Sequence, residues 1–130
     1  MKEVTAAIIR DGEKILICQR AADDECGMLW EFPGGKRENN ETLEECIKRE
    51  IREELELDIK LLGVFDRSIY HFNGREIYFT VYNAKVIRGI LKLNVHNAAE
   101  WVTLEEMSRY EFMPADIEFV MKLTYNQAKE

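Results

Sequence analysis

The stretch from Gly34 to Leu57, GGKRENNETLEECIKREIREELEL, constrains this chain more than any other. Thr42 with Glu45 three residues later is a capping-box pair, so the spacing predicts a helix starting there. Leu43, Cys46, Ile47, Ile51 and Leu55 recur at helical intervals and define its buried stripe. At roughly 100° per residue from Leu43, Glu50 and Glu54 fall about 20° to either side of that stripe's reference line, and Glu53 lies on its border. The residues of a solvated face are elsewhere: Glu44, Glu45, Lys48, Arg52 and Glu56 point away. The helix therefore aims carboxylates at the side where its neighbours pack. Crowded, desolvated carboxylates are costly unless something offsets their charge. A divalent cation does so, since Mg2+ prefers oxygen ligands and keeps positions open for water and phosphate. A merely exposed acidic face is the competing reading of the helix alone.

The spacing decides between them. Gly35, five residues, Glu41, seven residues and then Arg49-Glu50-Ile51-Arg52-Glu53-Glu54 resembles the signature of the Nudix hydrolases, which cleave nucleoside diphosphates linked to another group. One signature position departs: Glu56 stands where the family has glycine, so Glu56 either accepts a left-handed backbone or lets the helix run on. The resemblance implies an α/β fold, an α-β-α sandwich with a mixed sheet. It implies Mg2+ or Mn2+ held by Glu50, Glu53, Glu54 and the carbonyl of Gly34, with Glu50 as the general base. Arg49, one turn before Glu53, would orient it by a charge-assisted bond. For Glu41 a structural hydrogen bond and a catalytic role both stand.

Three further stretches, Arg20-Ala21-Ala22-Asp23, Glu31 to Lys36, and Pro114-Ala115, are similar to the MutT-like branch of the family. That branch implies a pyrophosphohydrolase converting a noncanonical or oxidised (d)NTP, such as 8-oxo-dGTP, to the monophosphate and pyrophosphate. Arg20 and Lys36 would meet phosphates, and Arg75 is a weaker candidate for substrate contact. Phe32 would either stack on the base or pack in the core. Asp116 stands where the branch has asparagine and would read the base, although an acid in a first helical turn is also stabilised by the helix dipole. Val95 occupies a position where relatives often carry a metal-site glutamate, leaving Glu100 or nothing in its place. A (d)CTP or 5-substituted pyrimidine triphosphatase stays open, because relatives of that kind also carry Pro-Ala-Asp. So does a nucleotide-sensing module without turnover, against which the intact Glu50, Glu53 and Glu54 argue.

The remaining features bound the class. A chain of 130 residues makes one domain, 1–130, with no linker or repeat. A net charge of −7 argues against a nucleic acid polymer as partner, leaving a small-molecule nucleoside triphosphate. No apolar run reaches the ~20 residues of a membrane span, and MKEVTAAII lacks the marks of a signal peptide. Together with the unpaired number of cysteines (Cys18, Cys26, Cys46), this reads as cytoplasmic. Monomer and homodimer both remain open. His71 and His96 stand alone and read as structural.

Strands are predicted over 4–10, 14–20, 30–32, 59–72, 76–87 and 100–102, with hairpins at Asp11-Gly12 and Asn73-Gly74. Pro33-Gly34-Gly35 reads as a turn. Thr103 with Glu106 predicts a short helix, and Pro114 opens a final one reaching about Gln127.

Overall fold

The β-branched runs at the N-terminus form strands Lys2–Asp11 (β1) and Lys14–Gln19 (β2) in the computed structural model, which describes the backbone of residues 2–129 and the side chains of residues 2–125. They meet as an antiparallel hairpin, with Asp11 opposite Lys14, around Gly12 at φ +61°. Short strands Trp30–Glu31 (β3) and Gly34–Lys36 (β4) follow, then helix α1, Leu43–Leu55. Two long strands, Leu57–Phe72 (β5) and Arg75–Gly89 (β6), pair antiparallel through the predicted Asn73-Gly74 turn, where both residues have positive φ. Strand Ala98–Val102 (β7), a 3-10 turn at Glu106–Arg109 and helix α2, Pro114–Lys129, complete the chain.

The sheet is mixed. β1 runs parallel to β6, while its other edge is shared by β4 near its start and β2 near its end. Thr5 to Ile9 and Ile15 to Cys18 are buried without a break, the mark of strands covered on both faces. Alternate residues enter separate clusters. Ala6, Ile8, Ile15 and Ile17 pack with Phe119 and Leu123 of α2, whereas Ala7, Ile9, Leu16 and Cys18 pack with Ile47, Ile51 and Leu55 of α1. The expected α-β-α sandwich is the observed one.

One expected turn is a strand. Gly34 to Lys36 pair with Val4 to Ala6, because glycine lets the two backbones approach. A Cβ on Gly34 would lie 2.1 Å from the Thr5 carbonyl oxygen. At the far end of α1, Glu56 takes the left-handed conformation (φ 56°, ψ 34°) and ends the helix there. The free carbonyls of the last turn are covered by one segment. Lys92 N–H donates to Leu55 (3.0 Å), Asn94 N–H to Glu54 (3.0 Å), and Asn94 Nδ2 to Glu53 (2.8 Å). That segment is thereby tied to the acidic end of α1.

Candidate active site

The capping box forms as the spacing predicts: Thr42 Oγ1 accepts from Glu45 N–H at 3.0 Å, and Glu45 Oε1 accepts from Thr42 N–H at 2.8 Å. With the helix start fixed, Cys46, Ile47, Ile51 and Leu55 are fully buried, and the carboxylates of Glu50, Glu53 and Glu54 take different environments. Glu50 and Glu54 turn toward β4. A Cβ on Gly35 would lie 2.3 Å from the Glu50 carboxyl carbon, so the second glycine makes room for that carboxylate. Glu54 goes deeper, and its Oε1 is buried without a hydrogen-bond partner among the described residues. Burial first, then the charges of Glu50 and Glu31, raise its carboxyl above the ordinary range. Glu53 is the exception to the predicted inward face. Its side chain is 60% exposed and leans on Arg49 at 3.2 Å.

Arg49 is the hub of a separate cluster. Its Nε and Nη2 grip both oxygens of Glu41 at 2.9 and 2.7 Å, and Nη1 reaches Glu50 at 2.8 Å. The hydrogen bond from Arg49 pulls the Glu41 carboxyl down to about 2, and the bond to Glu41 raises Arg49 further above its usual value. Glu41 also accepts from Glu38 N–H at 2.8 Å, so its geometry is that of a structural brace. Among the described residues, no three His, Cys, Asp or Glu side chains converge on one point, and Glu53 leans on Arg49 instead. The donor set still suits a hard cation: Glu54 presents a buried oxygen with nothing to bind, and Glu50 lies on the same helix face beside it.

Glu54 opens into a cleft of about 540 Å³ between the β4 edge, the β5–β6 hairpin and the start of α2. Asp116, from the first turn of α2, lines it and is buried at 7% exposure. Burial above all, and Glu31 next, push the Asp116 carboxyl well up, against the opposing charge of Arg20. Arg20, expected to meet phosphate, lines the cleft, with its donors bonded to Glu31 (3.0 Å), Asp24 (2.9 Å) and the Glu25 carbonyl (3.1 Å). Phe32 is a core residue at 3% exposure, packed on Phe112, and it also belongs to the cleft wall. Tyr70 and Phe72, stacked 6.4 Å apart at 15°, supply the broader aromatic surface there.

Lys36 and Arg75 are exposed and outside the cleft lining; Lys36 follows the glycines outward, and Arg75 sits at the tip of the β5–β6 hairpin. Glu100 is also outside, opposite Ile17 in β7, so it does not stand in for the residue missing at Val95, which does line the cleft.

Glu31 and His96, like Tyr70 and Phe72, are cleft residues that sequence reasoning missed. Glu31 lies between Trp30 and Phe32, both packed on the same core, and a carboxylate flanked by two core aromatics is the signal that was available. For His96 no local pattern existed, since its partner is 65 residues away.

A NUDIX domain model matches residues 1–123. The chain is 37% identical over 117 residues to the CTP pyrophosphohydrolase of Escherichia coli, covering 90% of this chain and 87% of that protein. It is 30% identical over 122 residues to the 8-oxo-dGTP diphosphatase of the same organism, covering 93% and 95%. The solution structure of the E. coli ORF135 protein superposes with a TM-score of 0.86 at 34% identity, over 100% of this chain and 93% of that one.

Proposed function

The chain belongs to the NUDIX family of hydrolases, and on that premise we propose that it is a MutT-like pyrophosphohydrolase of a noncanonical or oxidised (d)NTP of the 8-oxo-dGTP kind, releasing the monophosphate and pyrophosphate. The observation that carries this reading is that one cleft is lined both by Glu54, with a buried oxygen unpartnered among the described residues, and by the buried Asp116.

Glu50, Glu53, Glu54 and the Gly34 carbonyl would hold Mg2+ or Mn2+. When bound, the ion supplies the positive charge that lets a triphosphate approach these carboxylates and that offsets charge gathering on its oxygens. Glu50 takes the proton from the attacking water. Arg49 holds Glu50 and Glu53 in reach of that task, and Glu41 braces Arg49 from behind. At the other end, Tyr70 and Phe72 offer rings for the base to lie on. Asp116 kept protonated by burial both donates and accepts, as an asparagine would, so it can donate to O6 of an oxidised guanine while accepting from its N7–H.

A second reading is a (d)CTP or 5-substituted pyrimidine triphosphate pyrophosphohydrolase, favoured by the 37% identity to the CTP enzyme. Ionised Asp116 would serve that reading, because a carboxylate accepts from the cytosine amino group. Pyrophosphate release from oxidised dGTP, dGTP, dCTP and CTP with Mg2+ separates the two. Highest kcat/KM for oxidised dGTP supports the first reading, and highest kcat/KM for a cytosine nucleotide replaces it with the second.

A further inference from the structure

His96 is a poor core residue for its setting. Its side chain is 3% exposed, yet only one ring nitrogen is satisfied: Nε2 lies 2.8 Å from Glu31 Oε2, while Nδ1 is buried without a partner among the described residues. A side chain chosen to fill that space would better be apolar, since an orphaned buried polar atom costs stability. The single bond to Glu31 is what the histidine provides. A carboxylate only accepts, so Nε2 carries the proton and donates it to Glu31.

Glu31 needs that support. Its strand, β3, is two residues long, and it lies in the cleft among other acids: its charge acts on both Glu54 and Asp116. Arg20 holds the other oxygen at 3.0 Å, but Arg20 is a long side chain, shared with Asp24 of the neighbouring loop. His96 has two side-chain torsions and sits on a segment pinned at both ends. Asn94 is bonded to the last turn of α1, and Asn97 to Gln19 of β2, by its backbone at 2.9 Å and its side chain at 2.7 Å.

We infer that His96 is a positioning residue for base selection: it holds the Glu31 carboxylate in the cleft, so discrimination among nucleobases passes through the His96–Glu31 bond. This rests on the reading of the cleft as a nucleoside triphosphate site. In that site Glu31 accepts from the amino or imino edge of the base, opposite Asp116, and His96 acts on the substrate only through Glu31.

The test compares kcat and KM for oxidised dGTP, dGTP and dCTP in wild type, His96→Asn, His96→Gln, Glu31→Gln and the Glu31→Gln/His96→Asn double variant, with thermal melts to verify folding. The two amides differ mainly in reach, and the longer one places its N–H near the position of Nε2. His96→Asn should compress the spread of kcat/KM among the three nucleotides by about tenfold, equivalent to about 1.4 kcal/mol, mainly through KM of the preferred one. His96→Gln should restore most of the spread. In the Glu31→Gln background, His96→Asn should add less than about a twofold further change, because the partner is already lost. The inference is overturned if His96→Asn slows all three substrates by one factor, if both amides behave alike, or if the loss persists undiminished without Glu31. Absence of turnover of any nucleotide by wild type would defeat the proposed function itself, and this inference with it.

Discussion

Two groups of carboxylates, one gathered on Arg49 and one in the cleft, place like residues in opposite environments. Around Arg49, Glu41, Glu50 and Glu53 each have a guanidinium nitrogen within 3.2 Å. In the cleft, Glu54 has a buried oxygen with no partner among the described residues, and Asp116 is buried beside the like charge of Glu31. The consequences have opposite signs. The Glu41 carboxyl is held down to about 2 by Arg49, whereas those of Glu54 and Asp116 are raised by burial. Within the Arg49 group Glu41 braces the loop and helix, and Glu50 and Glu53 are the two carboxylates held beside it for the proposed metal site. Carboxylates left uncompensated are the ones that an external cation or a substrate donor has to complete.

The sharpest way to break this comparison is to neutralise one proposed metal ligand from each group, Glu54 in the cleft and Glu53 beside Arg49. Glu54→Gln and Glu53→Gln should each reduce kcat by far more than tenfold, about 1.4 kcal/mol of barrier, with the fold intact by circular dichroism. Losses under tenfold in both would remove these residues from the chemistry.

Asp116→Asn comes next in size. It should reorder oxidised dGTP, dGTP and dCTP by about 1–3 kcal/mol in relative kcat/KM; one common factor for all three would reduce Asp116 to a helix-start acid. Its stability signature has a fixed sign. The folded value lies above the unfolded one near 3.8, so the stabilisation is complete below that and is lost as pH rises through the raised value. Metal-free wild type should therefore lose melting temperature toward alkaline pH more steeply than Asp116→Asn.

The Arg49 group should behave in reverse. Glu41 is lowered, so its contribution is present above about 4.5 and disappears as pH falls toward about 2. Glu41→Gln should flatten the melting curve across that window, and an unchanged acid profile would show that the Arg49–Glu41 grip adds nothing to folding. The smallest expected effect belongs to Glu56→Gly. It relieves a left-handed residue outside both clusters, raising stability by no more than about 1 kcal/mol and leaving kcat within a few-fold.

The backbone of this account was legible in the chain where signals were local. The capping box at Thr42, the turn at Asn73-Gly74 and the apolar stripe of α1 each depend on residues a few positions apart, and each appears where the spacing places it. Legibility ended where contacts span the chain. The local spacing set out the Arg49–Glu53 pair, one turn apart, but not that Arg49 would also be gripped by Glu41 from outside the helix. Charge type marked Arg20 and Lys36 for phosphate, yet Glu31 and Asp24 engage one and the outward side of β4 carries the other away from the cleft. The glycines of Pro33-Gly34-Gly35 read as a turn because both uses of glycine look alike in sequence. Their purpose is close approach, to Thr5 and to Glu50.

The most direct measurement of the central claim is Mn2+ titration of the nucleotide-free protein, followed calorimetrically and by melting temperature, in wild type, Glu54→Gln and Glu41→Gln. The account predicts binding with a rise in melting temperature in wild type, its loss in Glu54→Gln, and its retention in Glu41→Gln at lower overall stability. Equal Mn2+ affinity in wild type and Glu54→Gln would contradict it.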